Sequence, residues 1–101
     1  MHKLMVSLTE AVNNAIVHGN KLDKTKKVTV ICEVLPGWLL FLVQDQGKGF
    51  HPEHVESPLR KKNLMRESGR GIFLMRTLMD RVEFERKHTG MEISLWLNLN
   101  R

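Results

Sequence analysis

The chain of 101 residues contains one cysteine, three prolines and few aromatic residues, and these shortages exclude several classes of protein. A single cysteine cannot form an internal disulfide, so the fold does not depend on the cross-links of small secreted domains. Cys32 lies in a strand-like pattern, where we expect a small buried side chain in a reducing compartment. No histidine or cysteine pair stands at zinc-ligand spacing, which argues against a zinc site.

A long apolar run is also missing. The longest, residues 34–43, is interrupted by Pro36 and Gly37 and is far shorter than the ~20 residues of a membrane helix. No signal-peptide pattern opens the chain, so we expect a cytoplasmic protein without a membrane partner. Hydrophobic residues make up 42% and charged residues 27%, which is the balance of one folded domain without repeats or linkers.

The formal net charge of +5 indicates an anionic partner. Basic residues gather in residues 21–27 and 60–70, without the interleaved aromatic residues of single-strand nucleic-acid binders. Lys61 and Lys62, beside a glycine-rich segment, suit a nucleotide polyphosphate. Direct nucleic-acid binding is therefore the weaker interpretation, and a solvated surface explains residues 21–27 equally well.

Apolar periodicity predicts the order helix, hairpin, loop, helix, hairpin. The predicted segments are a helix over 1–17, strands over 28–35 and 38–45, a long loop over 50–68 with one short helix near 53–56, a helix over 72–80, and strands over 82–86 and 91–99. We predict an α+β two-layer sandwich: a mixed, mainly antiparallel sheet of about four strands with helices on one face. Trp96 alternates with apolar neighbours and is expected on the other face, as a candidate interaction surface.

The first helix carries polar groups that it does not need for stability. Glu10, Asn14 and His18 form one stripe, a turn apart. Asn13 and Asn14 are poor mid-helix residues, because their amides compete with the backbone. A carboxylate and an amide one turn apart suit a proton acceptor beside a Mg²⁺ ligand, although a solvated helix face is an equal alternative. The predicted apolar stripe consists of Leu4, Leu8, Val12, Ala15 and Ile16.

Two glycine-rich turns follow. Asp45 stands at the end of an apolar row and begins an Asp-x-Gly-x-Gly turn with Gly47 and Gly49. A carboxylate left without a partner there would cost about 1–3 kcal/mol, and an exocyclic amine such as that of adenine can supply the partner. Gly69 and Gly71, before a helix, would offer backbone N–H groups to a phosphate. Neither a Walker-type loop nor a Rossmann fingerprint is present.

The order and spacing of these three motifs resemble the Bergerat-fold ATPases, the superfamily of gyrases, chaperones, histidine kinases and mismatch-repair proteins. Within it, residues 10–20 and 68–80 look like the bacterial anti-sigma factor serine kinases. The resemblance runs from about Leu8 to Leu99. It implies one ATP-binding kinase or ATPase-like domain over residues 1–101 that lacks the family's further N-terminal helix and strand, which leaves a homodimer in doubt.

The resemblance also implies a role for each motif, with ATP and Mg²⁺ as cofactors. Glu10 would be the general base, Asn14 the Mg²⁺ ligand and Asp45 the acceptor for the adenine amine. Residues 50–68 would form a lid. The implied nucleotide-binding residues are Asn13, Asn14, Asp45, Gly47, Gly49, Phe50, Ser68, Gly69, Arg70, Gly71 and Ile72.

The implied function is a Mg-ATP-dependent protein serine kinase that phosphorylates a small anti-sigma antagonist protein and sequesters a sigma factor. Two alternatives stay open: a nucleotide-sensing module without transfer, and the ATP-binding domain of a histidine kinase. The chain departs from the family pattern at Glu67, where some relatives place arginine, and at Met91, where relatives often place threonine. Any of these functions requires Asp45 shielded from solvent and Asn14 on the same side as Gly69.

Overall fold

The computed structural model describes residues 2–47 and 67–100, with side chains in the second part described from residue 71. Gly49, and residues 50–66 of the predicted lid with its short helix, lie outside the described residues, whereas the last two residues of the predicted loop, Glu67 and Ser68, are helical. The elements are α1 (His2–Asn14), continued by a π-helical turn (Ala15–Gly19), then β1 (Thr29–Leu35), β2 (Trp38–Gln44), α2 (Glu67–Leu78), β3 (Arg81–Lys87) and β4 (Gly90–Asn98).

The strands form one sheet in the order β1-β2-β4-β3, and every neighbouring pair is antiparallel. Each hairpin joins strands that are adjacent in sequence, and β2 pairs with β4 to unite the hairpins, with Phe41 opposite Leu95. Gly37 has φ +77° in the first hairpin turn, a conformation that glycine adopts without strain. The predicted α+β class and the two hairpins are therefore confirmed.

The core lies between one face of the sheet and the two helices. Val43, Ile93 and Leu95 are fully or almost fully buried on that face. On α1 the buried seam is Leu4, Ser7, Ala11, Asn14 and Ala15, whereas Leu8 and Val12 pack at its margin. The prediction that Ile16 belongs to the apolar stripe is wrong, because the helix widens into the π turn after Asn14 and Ile16 is 39% exposed.

Strand β1 forms an edge of the sheet, and six of its seven residues are exposed. The helices make their principal strand contacts with β2, β3 and β4. Val30, Cys32 and Val34 point to the helix side of the sheet but lie beyond the helices that cover it. The prediction of a buried Cys32 is therefore wrong, because the alternation was correct but the covering layer does not reach this strand.

The opposite face of the sheet carries both tryptophans. The Trp38 and Trp96 rings meet edge to face with centroids 5.9 Å apart, and the Arg81 guanidinium lies 5.8 Å from the Trp96 ring centroid. The expected placement of Trp96 away from the helices is confirmed. Among the described residues, no helix is long and apolar enough to cross a membrane.

Candidate functional site

Asp45 directly follows β2 and is only 4% exposed. Its backbone N–H donates to the Met91 carbonyl at 3.0 Å. Its Oδ1 accepts hydrogen bonds from the N–H groups of Gly47 at 2.9 Å and Met91 at 3.1 Å. One carboxylate oxygen is thus fixed by the backbone of its own turn and of β4, and the buried charge does not lack partners.

The second oxygen of Asp45 lies against the π turn. A Cβ added to Gly19 would overlap Oδ2, so only glycine allows this approach. No hydrogen bond within the described residues reaches Oδ2. The carboxylate therefore keeps one acceptor for a donor from outside, such as an exocyclic amine.

The π turn brings the end of the first helix against the Asp45 turn. The Asn20 N–H donates to the Ala15 carbonyl at 2.7 Å, a bond that spans five residues and widens the turn. A Cβ on Gly47 would overlap the Gly19 carbonyl, so the two backbones are in direct contact.

The pKa of the adjacent His18 imidazole is lowered by its partial burial, which favours the neutral ring.

Glu10 and Asn14 meet the start of α2. A Cβ on Gly71 would lie 2.7 Å from Glu10 Oε2 and 3.6 Å from Asn14 Nδ2. Asn14 is 3% exposed, and its Nδ2 has no hydrogen-bond partner among the described residues. A solvated helix face therefore does not describe Asn14. Glu10 is partly exposed, and no ion pair reaches it within the described ranges.

Helix α2 begins earlier than the sequence predicts. It starts at Glu67, so Gly69 and Gly71 lie inside its first two turns instead of before it. Glycine in a helix costs about 1 kcal/mol relative to alanine, and at Gly71 it lets the carboxylate end of Glu10 approach the helix backbone. The first four amides of a helix have no partner within it, so the N–H groups of residues 67–70 remain for an anion.

These groups fit a magnesium–nucleotide. Mg²⁺ in such sites takes few protein ligands and keeps water and phosphate oxygens, so a single amide beside a carboxylate suffices. The described residues contain no group of three or more His, Cys, Asp or Glu that could hold a metal ion. The unpaired atom of the buried Asn14 amide is the donor Nδ2, which a phosphate oxygen could accept from, and the Oδ1 of the same amide is the atom that could bind Mg²⁺.

The remaining predicted site residues are placed less directly. Asn13 is exposed, about 100° round α1 from Asn14, and is not brought to the site. Ile72 is 6% exposed and belongs to the core under α2. Ser68, Gly69 and Arg70 are described only as helical backbone.

Sequence reasoning missed Gly19, Asn20 and Gln46. The predicted helix stopped at residue 17, before the Gly-Asn pair, yet Gly19 contacts Asp45 and Asn20 is 3% exposed. Their burial depends on the π turn, which helical periodicity does not predict. The only available signal was a glycine next to a polar residue that a simple helix end does not require.

Comparison with known proteins identifies similar sequences and structures. A family model described as a histidine kinase-like ATPase domain matches residues 1–97. The serine-protein kinase RsbW of Bacillus licheniformis is 35% identical over 104 residues, covering 97% of this chain and 64% of that protein. The anti-sigma F factor of Clostridium perfringens strain SM101 is 31% identical over 100 residues, covering 96% and 71%. This chain thus spans slightly under two thirds of the RsbW relative.

Among solved structures, the histidine kinase domain of the Erythrobacter litoralis EL346 blue-light activated histidine kinase superposes with a TM-score of 0.70. The superposition covers 97% of this chain and 44% of that chain at 20% identity. At this identity the likeness shows a shared fold.

Proposed function

Because the chain belongs to the histidine kinase-like ATPase domain family, we propose that it binds Mg-ATP and transfers phosphate to a serine hydroxyl of a partner protein. The observation that carries the proposal is the contact of Glu10 and Asn14 with Gly71, on the side of the sheet where Asp45 is buried. The support is that two motifs contact the first helix, Gly71 at Glu10 and Asn14, and Asp45 at Gly19, as a nucleotide read at its base and at its phosphates would require.

Asp45 recognises the base in this proposal. Its Oδ2 accepts the adenine amine while Oδ1 stays bonded to the Gly47 and Met91 amides. Gly47 lies against the Gly19 carbonyl, a backbone contact that holds the Asp45 turn against the end of the first helix. The N-terminal amides of α2, in residues 67–70, hold the phosphates together with the positive end of the helix dipole.

Asn14 and Glu10 serve the transfer. Asn14 would ligate Mg²⁺, which neutralises phosphate charge when bound. Glu10 accepts the proton of the serine hydroxyl, whose oxygen forms the new bond to the γ-phosphorus as the bond to the ADP oxygen breaks. A carboxylate on a rigid helix, without an ion pair from the described residues, is suited to this proton transfer.

The partners follow from the relatives' names and are proposals. We infer that the serine lies on a small anti-sigma antagonist protein, and that a sigma factor is held when the antagonist is phosphorylated. The setting is the cytoplasm, without direct nucleic-acid or membrane binding. A homodimer is a further proposal.

Two measurements test the function. Calorimetric titration with Mg-ATP should show one site per chain. Incubation with [γ-³²P]ATP and a candidate anti-sigma antagonist should label that protein. Glu10→Gln should lower labelling at least 100-fold and leave ATP affinity within about threefold, because general-base catalysis contributes about 10²–10⁴-fold.

Glu33→Gln is the matched control, since Glu33 is an exposed carboxylate on β1. This variant should keep the wild-type labelling and ATP affinity. If Glu10→Gln labels the antagonist at the wild-type rate, Glu10 is not the general base. ATP binding without labelling of any antagonist, together with nucleotide-dependent sigma-factor binding, would instead favour a nucleotide-sensing module.

A further inference from the structure

Asn20 is a buried amide whose side chain, within the part of the chain that the structure describes, bonds to two backbone groups. It follows the π turn and is 3% exposed. Its Oδ1 accepts from the Gln46 N–H at 2.7 Å, and its Nδ2 donates to the Lys27 carbonyl at 3.1 Å. The side chain thus joins the end of the first helix to the approach to β1 and to the turn after β2.

The Gln46 side chain closes this arrangement. Its Oε1 accepts from the Lys27 N–H at 2.8 Å, so Asn20, Lys27 and Gln46 form a ring of three hydrogen bonds. The bond to the Gln46 N–H fixes the peptide plane between Asp45 and Gln46. That plane sets the direction in which the Asp45 side chain leaves the backbone.

We propose that Asn20 is a positioning residue that sets adenine selectivity by holding the Asp45 turn, an inference that rests on the proposed nucleotide site. Hydrogen bonds weaken steeply with distance and angle, so a carboxylate that reads an amine must be held closely in place. On one side β4 holds Asp45 through Met91. On the other side, the ring supplies the corresponding restraint.

The experiment compares ATP with inosine triphosphate, which has the same phosphates and ribose but a carbonyl in place of the amine. Dissociation constants are measured by calorimetry for the wild type and for Asn20→Ala. We expect Asn20→Ala to reduce the ATP-over-ITP selectivity about tenfold, through weaker ATP binding with little change for ITP. In an Asp45→Ala background the same substitution should leave the selectivity unchanged, because the two residues act in series.

Asn98→Ala is the matched control. The Asn98 side chain accepts a hydrogen bond from the Asn100 N–H at 2.8 Å at the end of β4. This variant therefore also removes a local hydrogen bond of an asparagine side chain, but it should keep the wild-type selectivity. If Asn20→Ala does not fold, Gln46→Ala decides, since it removes only the Oε1 arm of the ring from an exposed residue. It should lower the selectivity by a smaller factor.

A merely structural Asn20 would lower thermal stability and weaken both nucleotides equally, and unchanged selectivity in a folded variant overturns the inference. Wild-type protein that binds ATP and ITP equally would overturn base reading by Asp45 while leaving ATP binding intact. Wild-type protein that binds neither would overturn the proposed function itself.

Discussion

Replacing Gly19 by alanine would place a methyl group where the Asp45 carboxylate lies. The added Cβ would stand 3.0 Å from Asp45 Cβ and overlap both Cγ and Oδ2. Because Met91 and Gly47 hold the other oxygen, the carboxylate cannot rotate away without losing a hydrogen bond. We expect both the loss of that bond and a shift of the π turn.

The cost follows from these two responses. Overpacking a close contact costs about 1–3 kcal/mol, and loss of one hydrogen bond to a buried charge costs about 1.5–3 kcal/mol. Alanine in place of a helical glycine returns about 1 kcal/mol. With both costs and this return, the expected net loss is about 1.5–5 kcal/mol in the free energy of unfolding, a large part of the 5–15 kcal/mol typical of a whole domain.

Urea unfolding followed by far-ultraviolet circular dichroism measures this loss. Val17→Ala is the control, because Val17 lies in the same π turn and is 45% exposed, and it should change stability by less than about 0.5 kcal/mol. In the same preparations, Gly19→Ala should bind ATP at least tenfold more weakly than Val17→Ala. Wild-type stability in Gly19→Ala would refute the close approach of Gly19 to Asp45.

Two further predictions concern residues outside this contact. Cys32 is exposed, so Ellman's reagent should modify it in the folded protein as fast as a free thiol, and Cys32→Ser should change stability by less than about 0.5 kcal/mol; slow modification would contradict the uncovered β1. Burial lowers the pKa of His18 below 6.5, so the unfolded chain binds the proton more readily. The stability from the neutral ring is then complete above pH 6.5 and lost as pH falls through the lowered pKa. His18→Gln should flatten the urea midpoint between pH 7 and pH 5, whereas exposed His88→Gln should not; equal slopes in the wild type and His18→Gln would contradict this.

Local sequence patterns predict most of the fold. The alternation in each hairpin and the Pro36-Gly37 turn depend on neighbouring residues, and both agree with the structure. The errors arise where distant elements decide. Cys32 is exposed because no helix covers β1, and Ile16 is exposed because the helix widens at a turn that packs against Asp45.

The candidate site also has a part that the sequence predicts and a part that it does not. The meeting of Glu10 and Asn14 with Gly71 follows from the order of motifs and their family resemblance. The ring of Asn20 and Gln46 could not be predicted, because its bonds are to backbone atoms and any residue supplies those. In each of these hydrogen bonds only one of the two partners is a side chain, so the sequence identifies only that partner.

The two tryptophans share the sheet face that the helices leave uncovered, with a whole sheet between their rings and the candidate site. Indole fluorescence should therefore respond to melting of the β2–β4 pair and stay constant when the opposite side is filled. Unfolding can then be followed through the indoles at any nucleotide concentration, without a correction for binding.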